Sequence, residues 1–408
     1  MVKYDVESIP VVDLVNKIIL VGVKSKASDI HFDPTETGLR VRIRVDGYLS
    51  DHTLLPKDFA RNIVTRIKLI AGMNITENRM PQDGAIKGKI DQLDLDMRVS
   101  SLPTNLGEKV VIRILDYSKS LEGLKLLDFS KINYEKVEKM MAVPHGIILV
   151  TGATGTGKST TTYSMLQALN AEGTNIVTVE DPIEMNIEGI NQVQVNPEIG
   201  LDFATVLRSV LRQDPNIILI GEIRDSETAG IAVRASITGH LVLTTIHTNN
   251  SLATIERLLD MDVERYLLSS ALEGIISQKL GRRICEHCKT TRPTTPFEKH
   301  VFKIVLKQDI NETVQANKCE QCTNGFRGRL AIQEVLLIDE SLRDKISDEN
   351  FKKDELRELV YDKCGTIPLL QDALEKVVQG LTTFEEVYKL IEIEDVLDLR
   401  MDENKIQE

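Results

Sequence analysis

The spacing of apolar positions changes period along this chain of 408 residues. Val11, Val12, Leu14, Val15, Ile18 and Ile19 recur at helical spacing after Ser8-Ile9-Pro10, and the polar stretch Lys24 to Asp29 ends the helix they predict. Alternating segments follow at Asp29–Phe32 and Leu39–Val45, closed by Asp46-Gly47, a strand-and-turn signal. The alternation sets Val41, Ile43 and Val45 on one face and Arg40, Arg42 and Arg44 on the other. Such a face is usually solvated, although three arginines in five residues can also meet a phosphate or an acidic partner. Pro56–Met73 predicts an amphipathic helix, Pro81–Ala85 a turn, and Leu93–Ser100 and Lys109–Leu115 strands. Together they predict an α+β domain over residues 1–117.

Residues 118–144 read as a linker with a helix, Ile132–Met141, ending at Pro144. Short apolar runs then alternate with helical patterns. Strands are expected at Ile147–Val150, Ile176–Glu180, Ile217–Ile220 and Leu241–Thr245, and helices at Ser159–Asn170, Phe203–Arg212, Ser226–Thr238 and after Asn250. Repeated strand–helix units of this length predict a parallel sheet with helices on both faces, with ligand bound at the carboxyl ends of its strands. Beyond residue 345 the pattern is helical, and the last stretch is acidic and expected to fray.

Length allows two or three domains with cores of their own, and 42% hydrophobic with 27% charged residues is an ordinary globular composition. A net charge of −12 argues against a protein held on nucleic acid by a global positive field, and the absence of tryptophan argues against stacking platforms. No apolar run reaches the roughly 18 residues of a membrane helix and no signal-peptide pattern opens the chain, so a cytoplasmic location is expected.

The chemistry centres on Ile147–Ser159, IILVTGATGTGKS. An apolar strand, G-x-x-x-x-G-K-S and a helix start stand in the order that phosphate binding requires. Gly152, Gly155 and Gly157, with Thr154 and Thr156 between them, let backbone N–H groups wrap phosphate oxygens; Lys158 adds a charge. The Ser159 hydroxyl can ligate Mg²⁺, and Thr160 continues the helix start. Three polar clusters follow at strand ends. In Glu180-Asp181-Pro182-Ile183-Glu184 a carboxylate can polarise water or hold Mg²⁺. In Gly221-Glu222-Ile223-Arg224-Asp225 a glycine occupies the usual Walker B aspartate position, leaving Glu222 as the metal-side acid. Gly239 to His247 ends on a histidine able to sense a γ-phosphate or a neighbouring acid.

Cys285-Glu-His-Cys288 and Cys319-Glu-Gln-Cys322 are two C-x-x-C knuckles, enough for a closed tetrahedral Zn²⁺ site. His287 leaves a Cys₃His set open. Arg282, Arg283, Arg327 and Arg329 make this region locally basic, and Cys364 is expected to pack as a small hydrophobe.

Walker A, EDPIE, the Gly-Glu Walker B and the TGH…HTN box together resemble the traffic ATPases that assemble type IV pili and type II secretion pseudopili. ASDIHFDP, RVRIRVDG, PQDG and GLTTFEEV extend the resemblance over almost the whole chain. It implies a PAS-like domain over 1–117, the linker 118–144 and a RecA-like ATPase core over 145–281. A zinc-binding element over 282–330 and a helical C-terminal subdomain over 331–408 complete the expected α/β architecture.

The same resemblance implies a homo-hexameric ring driven by Mg-ATP and peripheral to the inner membrane through a platform protein. It implies Glu184 as general base, Glu222 as Walker B acid and His240 with His247 as a histidine box. Arg98 and Arg113 would reach the phosphates from the first domain, with Arg208 and Arg212 as further arginines near the nucleotide. Family members usually carry an arginine where this chain has Ala85, so that turn is given no catalytic part. The tetracysteine element is a mark of extension motors, and the sequence lacks the further N-terminal domain that such motors often carry, either as a truncated piece of a longer member or as a naturally short one. A competence pseudopilus ATPase is an alternative within the family. A RecA-like nucleic-acid translocase is an alternative of another class, although no stable nucleic-acid partner is expected.

Overall fold

A computed structural model describes the chain apart from residues 1, 3, 7, 91–92, 116–122, 351 and 391–408, so the acidic end expected to fray lies outside the described residues. The chain divides into two compact units, Met1–Asp116 and Tyr117–Glu408.

The first unit is a six-stranded antiparallel sheet. Its strands are β1 (Ala27–Pro34), β2 (Gly38–Val45), β3 (Tyr48–Pro56), β4 (Gln82–Ile90), β5 (Leu93–Thr104) and β6 (Gly107–Ile114), in the order β3-β2-β1-β6-β5-β4. The helices Val11–Lys24 and Lys57–Ile70 share one core with the apolar face of the sheet: Leu14, Ile18, Ile63 and Ile67 lie among Ile30, Phe32, Val41, Val99 and Ile112. The period-2 pattern therefore holds in β2, and its other face carries the arginines. Each of the three is ion-paired to an aspartate of the same sheet, Arg40 to Asp51, Arg42 to Asp33 and Arg44 to Asp29. These pairs favour the solvated reading of that face over a phosphate-binding one.

The turn expected at Pro81–Ala85 is instead the start of β4. Gly84 there serves close packing: a Cβ would come 2.4 Å from the Ala71 carbonyl oxygen, which accepts a hydrogen bond from the Ala85 N–H. An Asp-Gly signal reads the same whether glycine makes a turn or admits a neighbouring backbone.

The second unit is built on a seven-stranded sheet. Its strands are β7 (Gly146–Thr151), β8 (Ile176–Glu180), β9 (Asn191–Gln194), β10 (Ile217–Ile220), β11 (Leu241–Ile246), β12 (Leu272–Ile284) and β15 (Phe326–Leu337), in the order β15-β12-β7-β11-β10-β8-β9. All pair in parallel except β15, which runs antiparallel to β12. The continuous apolar runs of the sequence are explained by two cores, one on each face. Ile147 and Leu149 of β7 enter one core while Ile148 and Val150 enter the other, and β10 divides its residues likewise.

β12 and β15 run out of this sheet toward the cysteines, so the seam drawn at 281/282 falls inside a strand, and residues 331–337 belong to β15. Beside them a two-stranded sheet, β13 (Thr290–Pro293) with β14 (Glu312–Gln315), accompanies the helix Pro296–Val305. The helices Leu369–Val378 and Phe384–Leu390 close a third apolar cluster around Phe302, Ile332 and Leu374.

Candidate active site and cysteine cluster

The Gly152–Gly157 loop leaves the carboxyl end of β7 and enters the helix Lys158–Leu169, with Gly157 at the N-cap at φ 88°. Ala153, Thr154 and Gly155 form the exposed tip, and Ser159 and Thr160 lie in the first helical turn. The Lys158 ammonium is folded onto the loop and donates to the Gly152 and Ala153 carbonyls at 2.8 and 3.0 Å. Burial lowers its pKa below the ordinary lysine value, and the Glu222 carboxylate opposes that shift.

Behind the loop runs β12. Its Gln278, 3% exposed, donates through Nε2 to the Thr156 carbonyl at 2.5 Å and accepts at Oε1 from the Thr161 hydroxyl at 2.8 Å.

Glu222 follows β10 at the same edge of the sheet. One carboxylate oxygen pairs with Arg224, and the other lies 3.4 Å from Nε2 of His247. Arg224 also reaches Asp181 at 3.5 Å. The neighbouring Thr248 is fastened to β7: the Thr151 hydroxyl donates to its carbonyl at 2.9 Å and its N–H donates back at 3.1 Å. Lys158, Glu222 and His247, far apart in sequence, are thereby gathered at one sheet edge.

Other sequence-predicted residues lie elsewhere. Glu180, expected at the nucleotide, is 4% exposed and its oxygens are engaged inside the protein. One accepts from the Tyr163 hydroxyl, the other from the Thr178 hydroxyl and from Gln192 Nε2 at 3.1 Å. It is a buried support rather than a ligand to substrate. Tyr163 in turn accepts a hydrogen bond from the Glu184 N–H at 3.1 Å, so Glu184 is seated on the helix that the phosphate loop opens.

His240 is not brought to the loop within this chain. It precedes β11, with its Nδ1 2.9 Å from the Ala235 carbonyl, whereas His247 follows β11. Six residues of strand separate the two ends by about 20 Å. Arg208 pairs with Glu227, and Arg212 donates to the Arg208 carbonyl at 2.6 Å; neither partner belongs to the phosphate loop.

In the first unit Arg98 and Arg113 face each other directly across β5 and β6, and Arg113 Nε donates to Asp29 at 3.0 Å.

The four knuckle cysteines converge. Cys285–Cys319, Cys288–Cys322 and Cys319–Cys322 sulfur separations are 3.8, 3.7 and 3.6 Å. Four thiolates at the usual 2.3 Å around a tetrahedral Zn²⁺ stand about 3.8 Å apart, so the donor set and its spacing fit that ion. His287 is exposed and is not one of the clustered donors, which favours Cys₄ over Cys₃His. Burial, followed by hydrogen bonding with the neighbouring sulfurs, pushes the Cys288 thiol up to about 12, whereas at Cys322 burial is outweighed by hydrogen bonds that bring the thiol down to about 7. Two of the nearby arginines are neutralised, Arg282 by Glu386 and Arg283 by Asp128. Cys364 packs at the edge of the core, where burial and Asp339 push its thiol up to about 11.

Sequence reasoning missed Tyr163 and Gln278. Gln278 stands in the polar triplet Ser277-Gln278-Lys279 and gave no signal in the sequence; Tyr163 gave none beyond being aromatic.

A glycine-rich loop between a parallel strand and a helix, with a lysine, a strand-end carboxylate and a histidine beside it, defines the core of a P-loop ATPase. The chain belongs to the family described as Type II/IV secretion system protein, whose profile matches residues 5–389. It is 44% identical over 382 residues to the type II secretion system protein E of Pectobacterium carotovorum subsp. carotovorum, covering 93% of this chain and 76% of that one. It is 42% identical over 377 residues to the type IV pilus assembly ATPase PilB of Thermus thermophilus, covering 91% of this chain and 42% of that one. Among solved structures, the pilus retraction motor PilT with bound ADP superposes with a TM-score of 0.63 at 28% identity, covering 93% of this chain and 98% of that one. The protein is an ATPase of the kind that serves secretion and pilus machinery.

Proposed function

We propose that this ATPase works as a six-subunit ring at the cytoplasmic face of the inner membrane, bound to a platform protein, and turns ATP hydrolysis into assembly of a type IV pilus or a type II secretion pseudopilus. The observation that carries the reading is the Lys158–Glu222–His247 cluster at the phosphate loop of a chain whose relatives include both a type II secretion protein E and a pilus assembly ATPase.

In this reading the N–H groups of Gly152, Thr154, Gly155, Thr156 and Gly157 cradle the phosphates. Lys158 bridges them, and the Ser159 hydroxyl with Glu222 holds Mg²⁺, which when bound neutralises charge on the transferring phosphoryl group. Arg224 and His247 hold Glu222 in place until then. Glu184 is the general base for the attacking water. Arg98 and Arg113 are cross-strand neighbours on β5 and β6, with Arg113 held by Asp29. In this reading, which follows the family resemblance, they are the arginines that supply transition-state charge. Zn²⁺ on Cys285, Cys288, Cys319 and Cys322 serves as a structural crosslink.

The test is steady-state ATP hydrolysis across a protein concentration series, with mass determination alongside. Activity is expected to rise as a six-subunit species forms. Lys158→Ala is expected to lose nucleotide binding, and Glu222→Gln to lose about 10²-fold or more in kcat with ATP still bound. Arg98→Ala is expected to lower kcat with little change in nucleotide affinity. Full turnover by a monomer indifferent to Arg98 would overturn the ring mechanism.

A further inference from the structure

The geometry points to Gln278 as a positioning residue of the phosphate loop: its buried carboxamide locks the Thr156–Gly157 peptide in the orientation that presents the Gly157 N–H to phosphate. The inference rests on reading Gly152–Ser159 as the phosphate cradle.

A trans peptide holds its C=O and N–H on opposite sides of one bond. With the Thr156 carbonyl drawn onto Gln278 Nε2, the Gly157 N–H is turned the other way, away from β12. The amide cannot swing off, because its other end is held by the Thr161 hydroxyl one turn into the following helix. Both ends of one side chain therefore span the junction of loop and helix. Gln278 is 3% exposed, and its bond to Thr161 is buried, so water does not readily replace that end of the clamp.

Two loop glycines record how closely β12 approaches, one at the backbone and one at the side chain of Gln278. A Cβ at Gly152 would come 2.4 Å from the Gln278 carbonyl oxygen, and one at Gly157 would come 2.8 Å from Gln278 Nε2. These glycines are thus required by the strand behind the loop as well as by a ligand in front of it. The register explains why Gln278 is the residue involved: Ser277 pairs with Thr151, the last residue of β7, so the next residue of β12 lies against the first of the loop.

The experiment compares Gln278→Leu, Gln278→Glu and Thr161→Val with the wild type and with Lys158→Ala, reading ATP and ADP affinity, kcat, KM and thermal midpoint in the full chain. Gln278→Leu keeps shape and removes both bonds. Nucleotide affinity is expected to fall about 10- to 100-fold, the range for stranding a buried polar partner. Thr161→Val, which frees only the far end of the amide, is expected to give a smaller loss in the same direction.

Gln278→Glu carries a specific signature. A neutral carboxylic acid still offers one donor and one acceptor in the amide's shape, whereas its anion repels the Thr156 carbonyl. Affinity is therefore expected to be weak at pH 8 and to recover toward wild type as pH falls and the buried acid protonates, with no such recovery in Gln278→Leu. Should Gln278→Leu be too unstable to assay, the pH response of Gln278→Glu and the graded loss in Thr161→Val carry the test. Wild-type affinity in Gln278→Leu, or a lowered thermal midpoint with unchanged affinity and kcat, would overturn the inference. Retained nucleotide binding in Lys158→Ala would instead overturn the cradle reading beneath it.

Discussion

The Tyr163 hydroxyl sits at a junction of two acidic residues, donating to the Glu180 carboxylate and accepting from the Glu184 N–H. Burial raises its pKa, so it stays a neutral donor at any working pH. The residue projects from the Lys158–Leu169 helix, so a displacement of the phosphate loop is transmitted to the segment that carries Glu184. Tyr163→Phe keeps the ring and deletes the hydroxyl. If Glu184 is the base proposed above, kcat is expected to fall about tenfold or more while KM for ATP stays within about twofold, because a misplaced base weakens the transition state rather than substrate binding. Steady-state kinetics beside a melting curve checks this. Unchanged kcat would show that Glu184 is seated by other contacts.

In the first unit, the polar face of the six-stranded sheet carries ion pairs spread over four strands, β3, β2, β1 and β6. Asp33 of β1 accepts from Arg42 of β2 and also from Lys109 of β6. Burial opposes ionisation of Asp33, but those two hydrogen bonds and charges outweigh it and hold the carboxyl below its usual range. A depressed folded-state pKa adds stability above the unfolded value, near 3.9, that is lost as pH falls through the folded value. Asp33→Asn is therefore expected to destabilise the sheet by about 1–2 kcal/mol at pH 7, the low end for charged hydrogen bonds because Arg42 and Lys109 can still reach water. The gap to wild type should narrow below about pH 4. Hydrogen exchange of β1 and β2 amides measures it locally, and an equal deficit at both pH values would assign the loss to packing rather than charge.

Across the second unit, β12 carries Gln278 behind the phosphate loop and leads directly to Cys285. The C-terminal helices clasp the same strand: Arg282 pairs with Glu386, Lys279 donates to the Leu390 carbonyl at 2.8 Å, and the Ile284 N–H donates to the Leu381 carbonyl. Removing the metal should loosen this far end without emptying the nucleotide site. Purified protein is expected to hold one zinc per chain by elemental analysis. Cys319→Ser, or chelation, should lower the thermal midpoint by about 4 °C or more, the shift that corresponds to one or two kcal/mol in a unit of this size. ATP affinity should change by less than about twofold. Zinc-free protein with an unaltered midpoint would remove the structural role.

The sequence by itself determined the strand–helix alternation, the phosphate loop, the two knuckles and the inward face of β2. Each rests on local chemistry: backbone periodicity, glycine's conformational freedom, or the fixed spacing of paired thiolates. Tertiary structure alone decided which polar groups meet. EDPIE offers two glutamates with identical chemistry, yet strand burial turns Glu180 into the core while Glu184 sits at the loop's helix. The histidine box names two histidines on either side of one predicted strand, but the parallel sheet shows which end of β11 meets the phosphate loop, and it is the end of His247. Gly84, Gly152 and Gly157 look like turn and ligand glycines until a neighbouring strand or loop is seen to press against each. A one-dimensional pattern records what a residue can do, whereas its partners are set by which elements the fold brings together, whether near in the chain, as for Tyr163 and Glu180, or more than a hundred residues apart, as for Gln278 and the loop.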